Sequence, residues 1–356
     1  MYSVARDDAA ASSPHTRSTY RRPTVSFTHP HFDGLVPRTA TPRPSHASSA
    51  YKVSWHNKLL NGPEDLTPIQ WNVAKGRVAT IHLLKARNGA LFVGKEITCE
   101  KNPMAINVFL TRECEATRLV YQRAGTVPDN IVSVYGVADV GSKKLLIMEK
   151  IDGPSGMSLL QTLRTLPVSD DEKFNLIKFT IRSLLVAAGD LMRAGIVHCD
   201  LTPPNFMYSK SGTVKVIDFG AWTLTGGPPA SGTPGYEAPE SRPHLVATTV
   251  AQPTPVRYGP VRYRGGGSYE TRLMAPPCMD EKSDIFSIGM ILYNLLGEIE
   301  LKSDLGEALF NKMTKVDRAD RFGIKDCLNH NFFINVSKDL ALKTLEEMRR
   351  QVPTKN

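Results

Sequence analysis

The chain is predicted to fold as an α+β protein in two lobes, the first strand-rich with one helix and the second larger and helical. Three observations carry this. Short runs of β-type residues alternate with turn residues between about residues 78 and 148. One helical stretch, at about 105–123, interrupts them. Beyond residue 158 apolar residues recur at helical spacing over long stretches.

In chain order, residues 1–50 hold 20 Ser, Thr or Pro and four of the nine histidines, with neither helical nor strand periodicity. A basic, disordered arm is therefore expected over residues 1–55, a solvated tail or a regulatory segment. Strands are expected at 78–84, 91–97, 131–137 and 144–148, with Asn88-Gly89 and Gly141-Ser142 supplying turn chemistry. The clearest later helices are expected at 174–194, 282–297 and 305–316. The main domain is placed at 65–335, with a Pro-, Gly- and Arg-rich insertion at about 241–280 and a C-terminal helical tail at 336–356.

Composition narrows the class. At 41 % hydrophobic and 22 % charged, the 356 residues suffice for a sizeable core. Five scattered cysteines without a CxxC pair argue for reduced thiols inside a cell and against a disulfide framework or zinc ribbon. No apolar run reaches the ~20 residues of a membrane span, and no secretory leader is expected. The net charge of +9 is thinly spread, so nucleic acid is not the expected partner, although the insertion carries the repeat Pro255-Val256-Arg257-Tyr258, Pro260-Val261-Arg262-Tyr263. A basic, tyrosine-bearing loop of that kind could dock RNA or an acidic partner.

The chemistry concentrates in His198-Cys199-Asp200-Leu201-Thr202-Pro203-Pro204-Asn205, followed by Val214 to Ile217 and Asp218-Phe219-Gly220. A carboxylate can accept a hydroxyl proton, and a carboxylate with an amide oxygen suits a hard divalent cation. Together these segments resemble the catalytic loop and metal-binding motif of protein kinases. The resemblance implies a bilobal protein-kinase-like fold over about three-quarters of the chain. It also implies ATP and Mg²⁺ as cofactors and protein Ser/Thr hydroxyls as acceptors. Asp200 would be the base, Asn205 and Asp218 would hold the metal, and His198, Phe219 and Gly220 would frame the site.

The same resemblance extends to both sides. Phe92-Val93-Gly94-Lys95 looks like the strand whose lysine grips the α and β phosphates, and Glu113, 18 residues on, would be its partner, with Glu115 as the alternative. The stretch Val73-Ala74-Lys75-Gly76-Arg77-Val78-Ala79-Thr80-Ile81 occupies the glycine-rich loop but keeps only Gly76. Met148, Glu149 and Ile151 look like the hinge of the adenine pocket, with Val93 above the ring and Met207 below. Thr233 stands where serine/threonine kinases carry threonine. Glu240, Asp284 and Arg321 match positions that lock the activation segment to the larger lobe, a feature that favours a protein substrate over a small molecule.

Departures from the pattern are equally specific. Cys199 replaces the arginine that meets a phosphate on the activation loop, which implies activity independent of loop phosphorylation. Thr202 replaces a lysine aimed at the transferred phosphate. The alternative these substitutions leave open is a pseudokinase scaffold binding nucleotide or partners without transfer. About eight residues separate Gly297 from Leu305, where the family places a substrate-docking helix. This trimming resembles viral or bacterial-effector kinases that work inside a host cell. A monomer, cytoplasmic or nuclear, is expected.

Overall fold

The computed structural model describes residues 50–230, 232–241 and 278–351. Its first lobe is a six-stranded closed barrel: β1 (Tyr51–Lys58), β2 (Asp65–Lys75), β3 (Ala79–Ala86), β4 (Leu91–Ile97), β5 (Val134–Val140) and β6 (Lys143–Glu149), in the order β1-β2-β3-β4-β6-β5. β1 pairs antiparallel with β5, for example Val53 with Val140, and so closes the barrel. Leu66, Leu84, Phe92, Val140, Leu145 and Ile147 fill its interior.

β1 shortens the expected arm, since residues 51–55 already pair within the barrel. Its residues are mostly polar and exposed, and only Val53 and Trp55 pack inward, too few to set up a readable alternation. β2 hides for another reason. It contains Pro68, and its register shifts twice, with Asn72 in the left-handed region at φ 58°, so period two is broken along it. The strand expected at 131–137 lies three residues later, because Ile131 and Val132 are buried against Val216 instead of entering the barrel ladder. Gly136 is required where β5 crosses β1: at φ 139°, a Cβ there would meet the Asn57 carbonyl oxygen at 2.0 Å.

α1 (Pro103–Ala124) lies beside the barrel. Asn102 accepts the Met104 N–H, Pro103 opens the first turn, and Gly125 ends the helix at φ 72°. The second lobe holds α2 (Gly156–Thr162), α3 (Asp170–Arg193), β7 (Ile196–Val197), β8 (Phe206–Tyr208), β9 (Val214–Val216), β10 (Thr223–Leu224), α4 (Glu281–Glu298), α5 (Asp304–Met313), α6 (Ile324–Leu328) and α7 (Lys338–Gln351). α3 starts at a Ser169/Glu172 capping box with three acids in its first turn, which suits the helix dipole. Twelve of its residues are buried, and α4 and α7 pack on it.

The C-terminal helix is part of this core. Ala341, Leu345 and Met348, at i, i+4 and i+7, are each 0 % exposed. Among the described residues, no helix is long and apolar enough to cross a membrane. Residues 242–277, which contain most of the expected insertion and its repeat, and residues 1–49 lie outside the described residues.

Candidate active site

Strand alternation divides β4 between two tasks. Phe92 points into the barrel, while Lys95 and Ile97, on the other face, point toward α1 and the larger core. Lys95 Nζ donates to Glu113 Oε2 at 2.7 Å and to Asp218 Oδ1 at 2.9 Å. The alternative, Glu115, pairs with Arg118 on its own helix. Burial disfavours the Lys95 charge, but Asp218 and Glu113 more than restore it, so its pKa lies above the ordinary lysine value. Burial pushes Glu113 up, opposed chiefly by Lys95. Burial also works against Asp218, yet the neighbouring ammonium holds it below the usual carboxylate range.

The second half of the site is the loop after β7. Asp284, in the first turn of α4, accepts the N–H groups of His198 at 2.8 Å and Cys199 at 2.9 Å. This double anchor sustains Cys199 at φ 67°, a conformation non-glycine residues rarely adopt. His198 is buried; its Nδ1 faces the Asp200 N–H at 3.3 Å and its Nε2 the Ile217 carbonyl at 3.1 Å. That arrangement suits Nδ1 as the acceptor and Nε2–H as the donor. Its ring packs on Phe219 with centroids 5.0 Å apart, and Phe219 is 0 % exposed.

Asp200 Oδ1 accepts both the N–H and the hydroxyl of Thr233, at 2.8 and 2.6 Å. Gly232 allows that approach, because a Cβ there would meet the Cys199 carbonyl oxygen at 2.5 Å. Burial raises the Asp200 pKa and the Thr233 hydrogen bonds work against the rise. Asn205 Nδ2 donates to the Asp200 carbonyl at 2.8 Å and to Oδ2 at 3.0 Å, and among the described residues no donor meets its amide oxygen. The Asn205 amide oxygen and the Asp218 carboxylate, itself in the left-handed region at φ 63°, form an all-oxygen donor set. Two such ligands, completed by phosphate oxygens and water, fit Mg²⁺.

The expected nucleotide-contacting residues divide between the lobes. Val93 pairs with Met148 across β4 and β6, and Met207 lies in β8, two residues past Asn205; all three are half-buried. The Glu149 N–H donates to Ser133, and its carboxylate accepts from the Ser133 N–H and Lys215. Among the described residues, the Ile151 N–H meets no backbone carbonyl. The degenerate glycine loop is a tight hairpin. Ala74 pairs with Ile81, and Gly76 donates to the Ala79 carbonyl at 2.8 Å, leaving Gly76, Arg77 and Val78 as the tip. Val73 precedes this ladder, directly after the Asn72 bulge.

Behind the loop, Arg321 ties Glu240 to the start of α4 and the chain after α5. Its side chain is fully buried and binds Glu240 bidentately at 2.7 and 3.0 Å, while the Ser283 hydroxyl adds a third bond to the same carboxylate. Two residues absent from the motif reading, Arg112 and Trp222, also belong to the surroundings. They join α1 to the chain just past Gly220. They lie 110 positions apart, and no spacing rule connects them.

Comparison with known proteins agrees with this geometry. A family profile described as "Protein kinase domain" matches residues 71–248. "Protein kinase YpkA" of Yersinia pseudotuberculosis is 28 % identical over 257 residues, covering 67 % of this chain and 32 % of that protein. "Probable serine/threonine-protein kinase PknB" of Lactococcus lactis is 31 % identical over 187 residues, 51 % of this chain and 24 % of the relative. "Serine/threonine-protein kinase PknL" of Mycobacterium tuberculosis is 27 % identical over 191 residues, 53 % and 38 %. The matched segment is thus less than two-fifths of the length of each of these relatives.

Proposed function

The chain belongs to the protein kinase domain family, and we propose that it transfers the γ-phosphate of ATP to serine or threonine hydroxyls of protein substrates. The observation that carries this reading is the Lys95–Glu113 pair at 2.7 Å, with Asp218 on the same ammonium. A lysine so held is rigid and charged where it can grip the α and β phosphates. Asn205 and Asp218 would hold Mg²⁺, which when bound would neutralise charge on the phosphate oxygens.

Asp200 takes the proton. Its Oδ1 is committed to Thr233, whereas Oδ2 meets only the Asn205 amide at 3.0 Å and keeps a lone pair for the incoming hydroxyl. As the substrate oxygen bonds to the γ-phosphorus, the bond to the β–γ bridging oxygen breaks, ADP departs, and the hydroxyl proton passes to Oδ2. The Thr233 contact and the names of the Lactococcus and Mycobacterium relatives support Ser/Thr acceptors over tyrosine.

Independence from loop phosphorylation belongs to the same reading. Cys199 is 3 % exposed and packs with Val197 and Met279, beside Ala221 and Ala230, so apolar contact stands where a phosphate–arginine pair would order the segment. Backbone pairing does the rest: Thr223–Leu224 pair with Ile196–Val197, and Gly226 donates to Met279 at 2.8 Å. Burial raises the Cys199 thiol pKa well above its ordinary value, which suits packing and not redox chemistry. Of the hydroxyls in this segment that loop phosphorylation could use, Thr223 is buried and Thr225 exposed, while Ser231 lies outside the described residues. All five cysteines are free, which suits a reducing intracellular compartment, a host cytoplasm included.

The hairpin with Gly76 as the one glycine at its tip favours a second reading, a scaffold that binds nucleotide without transfer. Phosphate transfer from radiolabelled ATP with Mg²⁺ to generic acceptor proteins separates them, with Asp200→Asn as control. Labelled Ser or Thr that vanishes in the variant upholds the kinase, and transfer that survives phosphatase pretreatment of the wild-type protein upholds its independence from loop phosphorylation. ATP binding with no label from either protein upholds the scaffold.

A further inference from the structure

Resting on the kinase reading, we propose that Arg112 and Trp222 form a clasp that positions Glu113 for Lys95 without any phosphate on the activation segment. The bonds run in both directions. Trp222 Nε1–H donates to the Arg112 carbonyl at 2.8 Å. The Arg112 guanidinium donates to the Trp222 carbonyl and, at 3.4 Å, to that of Gly220. It also lies over the Trp222 ring, 5.4 Å from the centroid. Trp222 is buried at 9 % exposed, whereas Arg112 is exposed and reaches it from the surface of α1.

α1 depends on such a tether. Its buried residues begin at Leu110 and continue through Glu113, Cys114, Ala116, Thr117 and Val120. The preceding turns leave Met104 79 %, Val108 63 % and Phe109 44 % exposed, and Ile106 packs on the core from there, so apolar packing holds that half of the helix more weakly than the half after Leu110. The grip begins where Arg112 sits, one residue before Glu113. From the other side, Trp222 directly follows the turn of Phe219–Ala221 and precedes the Thr223–Leu224 strand, which pairs with β7 just ahead of His198. The clasp therefore ties the helix carrying Glu113 to the backbone that carries both Asp218 and, one strand away, Asp200. Arg112 is a positioning residue, since it acts on the reaction only through Glu113.

The test is a set of substitutions in the full chain, read by kinetics and by amide hydrogen exchange. Arg112→Met keeps the aliphatic stem and loses the clasp; kcat/KM is expected to fall about ten-fold, with a melting temperature close to wild type. Arg112→Lys retains a cation over the ring and is expected to recover about a third of wild-type activity. In a Glu113→Gln background, Arg112→Met is expected to cost less than about two-fold, because the pair it positions is already broken. Equal losses in both backgrounds, or no loss in either, overturn the proposal. Exchange is read independently of activity: amides 105–120 are expected to exchange about ten-fold faster in Arg112→Met and in Trp222→Phe, which keeps a ring but lacks the indole donor. If the wild type transfers no phosphate, the kinase reading fails. The clasp then stands on accelerated exchange and falls if exchange is unchanged.

Discussion

Arg321→Met is the perturbation whose cost can be worked most directly from the structure. The guanidinium is 0 % exposed and makes four bonds of 3.0 Å or less: Nε to the Lys315 carbonyl, Nη1 to Glu240 and to the Lys282 carbonyl, and Nη2 to Glu240. Methionine fills similar volume but leaves the Glu240 carboxylate without its cation and strands the Lys315 and Lys282 carbonyls. Removing one partner of a buried ion pair costs about 3–5 kcal/mol, because the other charge stays buried without compensation. Urea unfolding should show that loss as a lower midpoint at constant slope.

The double variant Glu240→Gln/Arg321→Met removes both charges, so it should be less destabilised than Arg321→Met alone. The pH dependence has a definite sign. Burial opposes the Glu240 charge, but Arg321 and Ser283 overcome it and hold its pKa below the ordinary carboxylate value. The folded protein then binds fewer protons than the unfolded chain in that range. The stabilisation is complete above the ordinary value and is lost as pH falls through the lowered one. The gap between wild type and Arg321→Met should close in acid. A loss below about 1 kcal/mol at neutral pH, or a double variant costing the sum of the singles, would refute the reasoning.

Other outcomes follow from the same geometry. Thr233→Val removes the hydroxyl that favours charged Asp200, so the acidic limb of the kcat–pH profile should move to higher pH; an unmoved limb means that another group titrates. Lys95→Met should lower phosphate transfer by about 10²–10³-fold in a radiolabel assay, the scale of losing one preorganised charge. Cys199→Arg should destabilise the protein by about 3 kcal/mol or more in urea, because a cation enters the apolar cluster of Val197 and Met279. Thr202→Lys should raise turnover if the place of a cation near the γ-phosphate is vacant. Unchanged turnover points to another positive group there.

The fold class was legible because its signals are local. α1 and α3 show through apolar residues at helical spacing over about 105–123 and 174–194, and β4 through its apolar run around Lys95. β1 was not legible, since a strand that merely closes a barrel with two inward side chains carries almost no pattern. The last helix read as a tail, because whether its stripe of Ala341, Leu345 and Met348 meets α3 depends on where the chain end returns.

Chemistry divides along the same line. The resemblance of short segments to protein-kinase motifs singled out Asp200, Asn205, Asp218 and Lys95, and each donor's capacity is a property of its own side chain. Folding decided which of those capacities are spent and which remain. It assigned Glu113 and not Glu115 to Lys95, committed Asp200 Oδ1 to Thr233 while sparing Oδ2, and set Trp222 against Arg112. Such choices turn on ångström distances between residues as many as 123 positions apart, and only packing brings those together.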